Sequence, residues 1–119
     1  MLVKLTEDQC RAAIKNGDFL KELCASAPTV VIVLTQSWCP QWTRIRPWLE
    51  DFSSEEGARC YFVEYDREPF FDDFMNFKET GFRNGEVPYL RYYRDGVLVK
   101  ESNYVDKSTF RKLITPAVT

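Results

Sequence analysis

The sequence predicts an α/β fold in which a central mixed sheet of four to five strands is flanked by helices on both faces. The apolar run 30–34, Val-Val-Ile-Val-Leu, has the composition of a strand that is buried on both sides. A helical pattern and a second strand pattern follow this run, so the three elements form a β-α-β unit with parallel strands. Two later strand patterns flank Asp95-Gly96, a dipeptide typical of an antiparallel hairpin.

The composition fits one globular domain over residues 1–119. The chain is 45% hydrophobic, 15% aromatic and 29% charged, with only 5 glycines, which excludes a disordered or collagen-like protein. It contains no histidine, so Ser/His/Asp and Cys/His catalysis and histidine-ligated metals are excluded. A net charge of -2 without a long basic tract argues against a nucleic-acid partner.

The expected location of the protein is the cytoplasm. The start of the chain lacks the basic and apolar regions of a signal peptide. The longest apolar run, 30–34, is too short to cross a bilayer, so no membrane partner is expected. In a reducing compartment the four cysteines, Cys10, Cys24, Cys39 and Cys60, are expected to be free thiols and not a disulfide framework.

Local signals place two helical segments before the buried strand. Thr6 and Gln9 form a capping box that opens a first helix, which runs to Asn16 and is ended by Gly17. A second helical stretch is predicted over 18–25. Both segments therefore precede the strand at 30–34 in the chain.

The middle of the chain completes the β-α-β unit. Apolar residues at spacings of three and four predict a helix over 42–55, with Pro40 in its first turn and Pro47 bending its interior. Gly57 ends this helix, and the second strand is predicted over 59–65. A right-handed crossover makes the two strands neighbours and parallel.

A phenylalanine-rich segment follows the second strand. It predicts a helix over 70–79, with Phe70, Phe74 and Phe77 along one buried stripe. The fourth ring, Phe71, is expected to face outward as a patch for a partner.

The last elements are a hairpin and a helix. The two hairpin strands are predicted over 89–94 and 97–102, on either side of the turn. Asp106 can cap a final helix over 108–115. An antiparallel hairpin therefore completes the sheet that the parallel pair begins.

This order of elements, with Trp38-Cys39-Pro40 between the buried strand and a proline-bent helix, resembles the thioredoxin family. The resemblance covers about residues 28–115. Each matching motif is weak alone, but the set is specific because all occur in order over the length of one domain. The motifs are Trp38-Cys39 at the active-site turn, Pro47 in the next helix, Asp66 and Pro69 after the second core strand, Pro88 at the cis-proline position, and Gly96 at the hairpin tip.

The resemblance implies a thioredoxin fold with a thiol site at Cys39. It implies a cis peptide bond between Val87 and Pro88, whose backbone lies beside the Cys39 thiol and can pair with an extended substrate segment. By the same resemblance, Cys39 is the catalytic residue, and the substrate-binding residues are Trp38, Pro40, Gln41, Trp42, Val87 and Pro88.

Several positions depart from the family. Thioredoxins carry Cys-x-x-Cys, whose second cysteine resolves the mixed disulfide, whereas this chain has Cys39-Pro-Gln-Trp42. The family's buried Asp and the Lys facing it fall on Val33 and Phe62 here. We interpret these changes together as a monothiol site. Asn103 or Tyr104 stands near a family glycine, which is expected to reshape the substrate groove.

Two residues of the site have two interpretations each. Cys39 is expected at a helix N-terminus, where backbone amides and the helix dipole stabilise a thiolate, and Arg44 and Arg46 can add positive potential. Alternatively, Cys39 is a remnant of the motif on a domain used for binding. Trp42 either contacts a partner or fills the space of the lost cysteine in the core. The other three cysteines are interpreted as small buried hydrophobes.

Two functions follow from these alternatives. The first is a thioredoxin-like thiol protein, a candidate monothiol oxidoreductase of cell redox homeostasis, that forms mixed disulfides with protein or low-molecular-weight thiols. The second is a redox-inert thioredoxin-fold module that binds a protein partner. No cofactor or metal is expected, because no C-x-x-C pair is present and the motif is not the Cys-Gly-Phe-Ser of iron-sulfur glutaredoxins.

Overall fold

A five-stranded mixed sheet forms the centre of the protein. The computed structural model describes residues 1–115, and its strands lie in the order β1-β3-β2-β4-β5. The central strand β2 pairs in parallel with β3 and antiparallel with β4. The strands are β1 (Leu2–Lys4), β2 (Thr29–Thr35), β3 (Ala58–Glu64), β4 (Tyr89–Arg94) and β5 (Val97–Ser102). The predicted α/β class, and the central place of the 30–34 run, are confirmed.

Helices cover both faces of this sheet. A 3₁₀ turn, Tyr65–Arg67, follows β3, and a π-helical turn, Phe77–Gly81, continues the fourth helix. In residues 1–115, no helix has both the length and the apolar character needed to cross a membrane. The helices are α1 (Glu7–Asn16), α2 (Lys21–Cys24), α3 (Pro40–Ser53), α4 (Phe71–Asn76) and α5 (Lys107–Ile114).

The alternation of side chains along β2 divides the core into two parts. Val30, Ile32 and Leu34 pack against α1, α2 and α4 on one face. Val31 and Val33 pack against α3 and α5 on the other face. All five side chains are fully buried. The uninterrupted apolar run is therefore explained by burial on both faces, as predicted.

Short-range motifs begin and end the helices where the sequence predicts them. Gln9 N donates to Thr6 Oγ1 at 3.1 Å, and Thr6 N donates to Gln9 Oε1 at 2.9 Å, which completes the capping box of α1. Gly17 ends α1 in the left-handed conformation, with φ 80°. The Asp106 carboxylate caps α5 by accepting from Thr109 N at 2.8 Å.

Three elements depart most from the prediction, while the bounds of the others shift by no more than two residues. Strand β1 was not predicted, because its three residues are too few for a period to show, and it forms by pairing Leu2 with Cys60 on β3. The predicted helix over 18–25 contracts to α2, because the residue before it, Leu20, is extended with ψ 144°. The predicted helix over 70–79 is divided between α4 and the π-helical turn.

Phe71 does not form the outward patch that the sequence suggests. Its ring is half-buried and packs against the core on the α1 side of the sheet. The ring centroid lies 5.9 Å from that of Tyr65, in the 3₁₀ turn after β3. Helical spacing alone could not reveal this neighbour, because Tyr65 belongs to another element.

The hairpin turn between β4 and β5 makes a close contact with another loop. Asp95 and Gly96 have φ values of 50° and 83°, the left-handed pair of a tight hairpin turn. A Cβ at Gly96 would lie 3.0 Å from the Cβ of Ala25. The position therefore needs glycine both for its backbone conformation and for the space around it.

We expect Gly96→Ala to lower the free energy of unfolding by about 2 kcal/mol or more, because strain in φ adds to the contact with Ala25. Gly17→Ala is the matched control, since its φ is 80° and a Cβ there meets no described atom within 4 Å. The control is expected to lose only about 1 kcal/mol. Urea unfolding of both variants measures the difference, and equal losses would exclude a role for the contact.

Candidate thiol site

The candidate thiol lies at the junction of the central strand and α3. Cys39 is the residue before the first turn of α3, and Pro40 occupies the first helical position. Its amide donates to Gln36 O at 3.2 Å, and its carbonyl accepts from Thr43 N at 3.3 Å. The chain therefore turns sharply from β2 into α3 at the cysteine.

The sulfur of Cys39 faces the segment before β4. Cys39 Sγ lies 3.7 Å from Val87 O and can donate to it, and the thiol makes no capping hydrogen bond to the amides of α3. The side chain is only 3% exposed. The Val87–Pro88 peptide bond is cis, the isomer that the family resemblance implies, and Pro88 is buried. The structure thus brings Cys39, Val87 and Pro88 together.

Trp42 lies beneath the site and is not part of its surface. The side chain is 1% exposed, and its ring centroid lies 5.6 Å from that of Phe62 on β3. Its Nε1 donates to Glu64 Oε2 at 3.0 Å. This placement agrees with the interpretation that Trp42 fills the core, and it corrects the expectation that the ring contacts a partner.

A cation and a carboxylate complete the surroundings of Trp42. The Arg46 guanidinium lies over the rings of Phe62, at 4.8 Å, and Trp42, at 5.4 Å. It also approaches Glu64 Oε2 at 3.8 Å. The Arg46 guanidinium therefore packs between α3 and β3, against Trp42, Phe62 and Glu64. Glu64 was missed by sequence reasoning, although it follows Phe62 by two residues on the same face of one strand.

The two apolar residues at the positions where thioredoxins, by the resemblance, carry a charged pair are neighbours in the sheet. Val33 on β2 is directly opposite Phe62 on β3. Both side chains are buried in the core on the α3 face, the core that also contains Cys39. The interior behind the thiol is therefore lined by hydrocarbon at these two positions.

The remaining predicted site residues lie on the surface of the turn. Trp38 is 64% exposed, and Pro40 and Gln41 are also exposed. Trp38 Nε1 donates to Gln36 Oε1 at 2.6 Å, and Gln36 Nε2 donates to Tyr65 OH at 3.2 Å. The exposed indole is therefore held beside the thiol by two successive hydrogen bonds.

A carboxylate after β3 fixes the backbone of the same turn. Asp66 accepts from Ser37 N at 2.7 Å and from Ser37 Oγ at 2.5 Å. Asp66 belongs to the motifs of the resemblance, but its partner Ser37 was not predicted. The sequence around Ser37 does not indicate that this residue hydrogen-bonds to a carboxylate 29 positions later in the chain.

The other three thiols lie in the cores. Cys10, Cys24 and Cys60 are buried, and all four cysteines are free. Burial raises the pKa of Cys10 from its ordinary value of 9.0 to about 12. Burial also raises the pKa values of the Cys24 and Cys60 thiols. These groups are poor nucleophiles near neutral pH, in agreement with their interpretation as small hydrophobes.

A polar network supports the segment that faces the thiol. It joins Lys78 in the π-helical turn, Asn84 and Asn103, and it reaches the backbone carbonyls of Glu86 and Pro88. Sequence reasoning missed Lys78 and Asn84, and it noted Asn103 only as a departure from a family glycine. Within residues 1–115, no group of three or more His, Cys, Asp or Glu side chains is placed to hold a metal ion.

Comparison with known proteins identifies the fold. No family model matches the chain, and no curated protein matches it. Among solved structures, thioredoxin f2 from Chlamydomonas reinhardtii has a TM-score of 0.69 and 19% identity, over 96% of this chain and 94% of that chain. A mutant thioredoxin from Halobacterium salinarum has a TM-score of 0.67 and 17% identity, over 100% of this chain and 93% of that chain.

A third structure agrees with these two. Oxidized thioredoxin O2 from Arabidopsis thaliana has a TM-score of 0.66 and 22% identity, over 95% of this chain and 90% of that chain. The chain therefore has the thioredoxin fold, as the sequence predicts. Because identity is low in all three comparisons, the likeness is one of fold, and function has to be argued from the site.

Proposed function

We propose that this protein is a thioredoxin-like thiol protein that acts through one cysteine, Cys39, by forming mixed disulfides. One observation carries the proposal: the sulfur of Cys39, at the start of α3, lies 3.7 Å from the Val87 carbonyl oxygen, and within residues 1–115 no second thiol is beside it. The buried Trp42 stands at the sequence position where Cys-x-x-Cys has its second cysteine.

The proposed chemistry is thiol–disulfide exchange. The Cys39 thiolate attacks one sulfur of a disulfide, the old S–S bond breaks, and the second sulfur leaves as a thiolate that takes a proton from water. Since Trp42 supplies no thiol, the mixed disulfide on Cys39 persists until an external thiolate attacks it. That second attack releases Cys39 and forms a new disulfide on the leaving partner.

The other cysteines support the choice of Cys39. Burial raises the pKa values of Cys10, Cys24 and Cys60, so each remains a thiol at neutral pH. None of them lies in a disulfide. Cys10 and Cys60 are fully buried and Cys24 is as buried as Cys39, at 3% exposed, but Cys39 directly follows the exposed Trp38 in the turn before α3.

We further propose that residues 1–119 act as one domain in the cytoplasm. Its partners would be protein disulfides or low-molecular-weight thiols such as glutathione, which can also resolve the mixed disulfide. A reducing compartment fits four free cysteines.

A redox-inert interaction module is the second candidate function. The low exposure of Cys39, 3%, favours it, because attack on a disulfide needs access to the sulfur. The exposed Trp38 beside the thiol would then serve as a docking residue.

Mass spectrometry after brief exposure of the reduced protein to glutathione disulfide separates these candidates. We expect one glutathione adduct, mapped to Cys39, and no adduct on the folded Cys39→Ser control. An insulin-reduction assay with a dithiol recycling system should give almost no activity, because the mixed disulfide is not resolved within the protein. Preferential labelling of Cys10, Cys24 or Cys60, or no labelling at all, would leave the interaction module as the function.

A further inference from the structure

Asn103 connects the end of β5 to the segment that faces the thiol. This half-buried residue directly follows β5, and its Nδ2 points at three acceptors. Nδ2 lies 3.1 Å from Pro88 O, 3.3 Å from Glu86 O and 2.9 Å from Asn84 Oδ1. The two N–H groups of this amide are therefore shared among two carbonyls of the segment 86–88 and a neighbouring side chain.

Asn84 holds Asn103 in place from the opposite side. Asn84 Nδ2 donates to Asn103 Oδ1 at 3.0 Å, so the two amides bind each other reciprocally. Asn84 Oδ1 also accepts from Glu86 N at 3.1 Å. Both side chains are thus fixed by more than one hydrogen bond, which leaves little freedom to rotate.

A buried lysine supports this pair. Lys78 is fully buried, and its Nζ donates to Asn84 O at 2.8 Å and approaches Asn84 Oδ1 at 3.4 Å. Among the residues from 1 to 115 it forms no ion pair, and burial lowers its pKa to about 8. An unpaired buried amine is costly, and here its donors are directed at the loop that carries Asn84.

The network meets the thiol through Val87. The two carbonyls held by Asn103 belong to Glu86 and Pro88, the residues on either side of Val87. The Val87 carbonyl itself lies 3.7 Å from Cys39 Sγ. Asn103 thereby fixes the backbone on both sides of the group that faces the sulfur.

We propose that Asn103 is a positioning residue that makes the Cys39 site prefer extended peptide disulfides to compact ones. The inference rests on the proposed thiol function of Cys39. An extended chain must align its own backbone with the segment 86–88. If that segment is already ordered, binding costs less conformational entropy, so the affinity for an extended chain is higher. A small disulfide needs only contact with the Cys39 sulfur, so an ordered segment 86–88 has little effect on its reaction.

The test compares two disulfides on the reduced protein: glutathione disulfide, and a symmetric disulfide of an eight-residue unstructured peptide. For Asn103→Leu we expect the rate constant of mixed-disulfide formation with the peptide to fall about tenfold, through a higher half-saturation concentration and an unchanged maximum rate. The rate constant with glutathione disulfide should change less than about twofold. Asn103→Asp, which keeps the acceptor but loses the donors, should behave in the same way.

Asn16→Leu, a change at an exposed asparagine of α1, is the control and should alter neither rate. An unchanged peptide rate in both Asn103 variants, or an equal fall for both disulfides, would overturn the role of Asn103. Absence of any adduct on the unsubstituted protein would overturn the proposed function instead. In that case, calorimetric binding of the peptide disulfide to Cys39→Ser protein, with and without Asn103→Leu, still decides the inference: equal affinities contradict it.

Discussion

Replacing Trp42 by cysteine is expected to destabilise the protein by about 3–5 kcal/mol, the range observed when a buried aromatic side chain is truncated. The indole is 1% exposed, packs on Phe62 and donates to Glu64. Substitution leaves a cavity between α3 and β3 and removes the indole hydrogen bond to the half-buried Glu64 carboxylate, which keeps only the Arg46 guanidinium at 3.8 Å. Urea unfolding followed by circular dichroism measures the loss.

The same substitution restores the Cys-x-x-Cys spacing, but we expect only weak dithiol activity from it. The new thiol would lie in a core lined by Val33 and Phe62, where burial disfavours a thiolate. The Glu64 carboxylate, now 3.0 Å from the indole nitrogen, would disfavour a second negative charge further. Insulin reduction with a dithiol recycling system is the appropriate measurement.

Trp48→Cys is the matched control for both expectations. Trp48 lies on the same helix, is only half-buried, and packs against Phe110 at a centroid distance of 4.9 Å. Its replacement should cost less stability and give no dithiol activity, because the new thiol is more than two helical turns from Cys39. A Trp42→Cys protein with robust dithiol activity and near-native stability would show that the apolar lining does not limit the site.

The features that sequence predicts well are those that depend on neighbours in the chain. The capping box of Thr6 and Gln9, the hairpin at Asp95-Gly96 and the apolar run 30–34 are all recognisable from residues within one element. Their geometry is set by local hydrogen bonds, by positive φ or by a continuous pattern of burial. The thioredoxin fold then follows from the order of these elements.

The parts that sequence does not predict depend on contacts between distant residues. Strand β1 exists because the edge of β3 is free to pair with Leu2, which is 58 positions away from Cys60. Asn84 and Asn103 bind each other across 19 positions. The burial of Trp42 depends on Phe62 and Glu64 in another strand. A single sequence contains these residues but not their separation in space.

The free energy of unfolding is expected to reach its maximum between about pH 8 and 9 and to fall steeply at higher pH. Burial raises the pKa of Cys10 from 9.0 to about 12, so between these values the unfolded chain loses a proton that the folded protein keeps. The stability contributed by the protonated thiol is therefore complete below pH 9 and lost as pH rises towards 12. For Cys10 alone this loss amounts to about 4 kcal/mol.

Other buried groups set the shape of the profile. The pKa values of Cys24 and Cys60 are also raised by burial, so both add to the loss above pH 9. Lys78 acts in the opposite direction, because burial lowers its pKa from 10.5 to about 8. Between those values the unfolded chain binds a proton that the folded protein does not, so this contribution to stability rises with pH. At pH 9 the three thiols together outweigh the lysine. Above pH 10 four buried tyrosines, whose pKa values burial also raises, add to the fall in stability. They are Tyr65, Tyr89, Tyr92 and Tyr93.

Urea unfolding in the presence of a reductant, at intervals from pH 7 to 10.5, tests this balance. In Cys10→Ala, the free energy of unfolding should fall less steeply with pH above pH 9, because about one proton fewer is released on unfolding. This holds whatever the variant's stability at neutral pH. Lys78→Met should begin to lose stability at a lower pH than the unsubstituted protein, because the only buried amine among residues 1–115, whose contribution opposes that of the thiols, is removed. For both variants the measured quantity is the slope of the free energy of unfolding against pH. A loss of packing that is the same at every pH therefore does not change the result. Slopes parallel to those of the unsubstituted protein would mean that neither group changes its protonation on unfolding in this range.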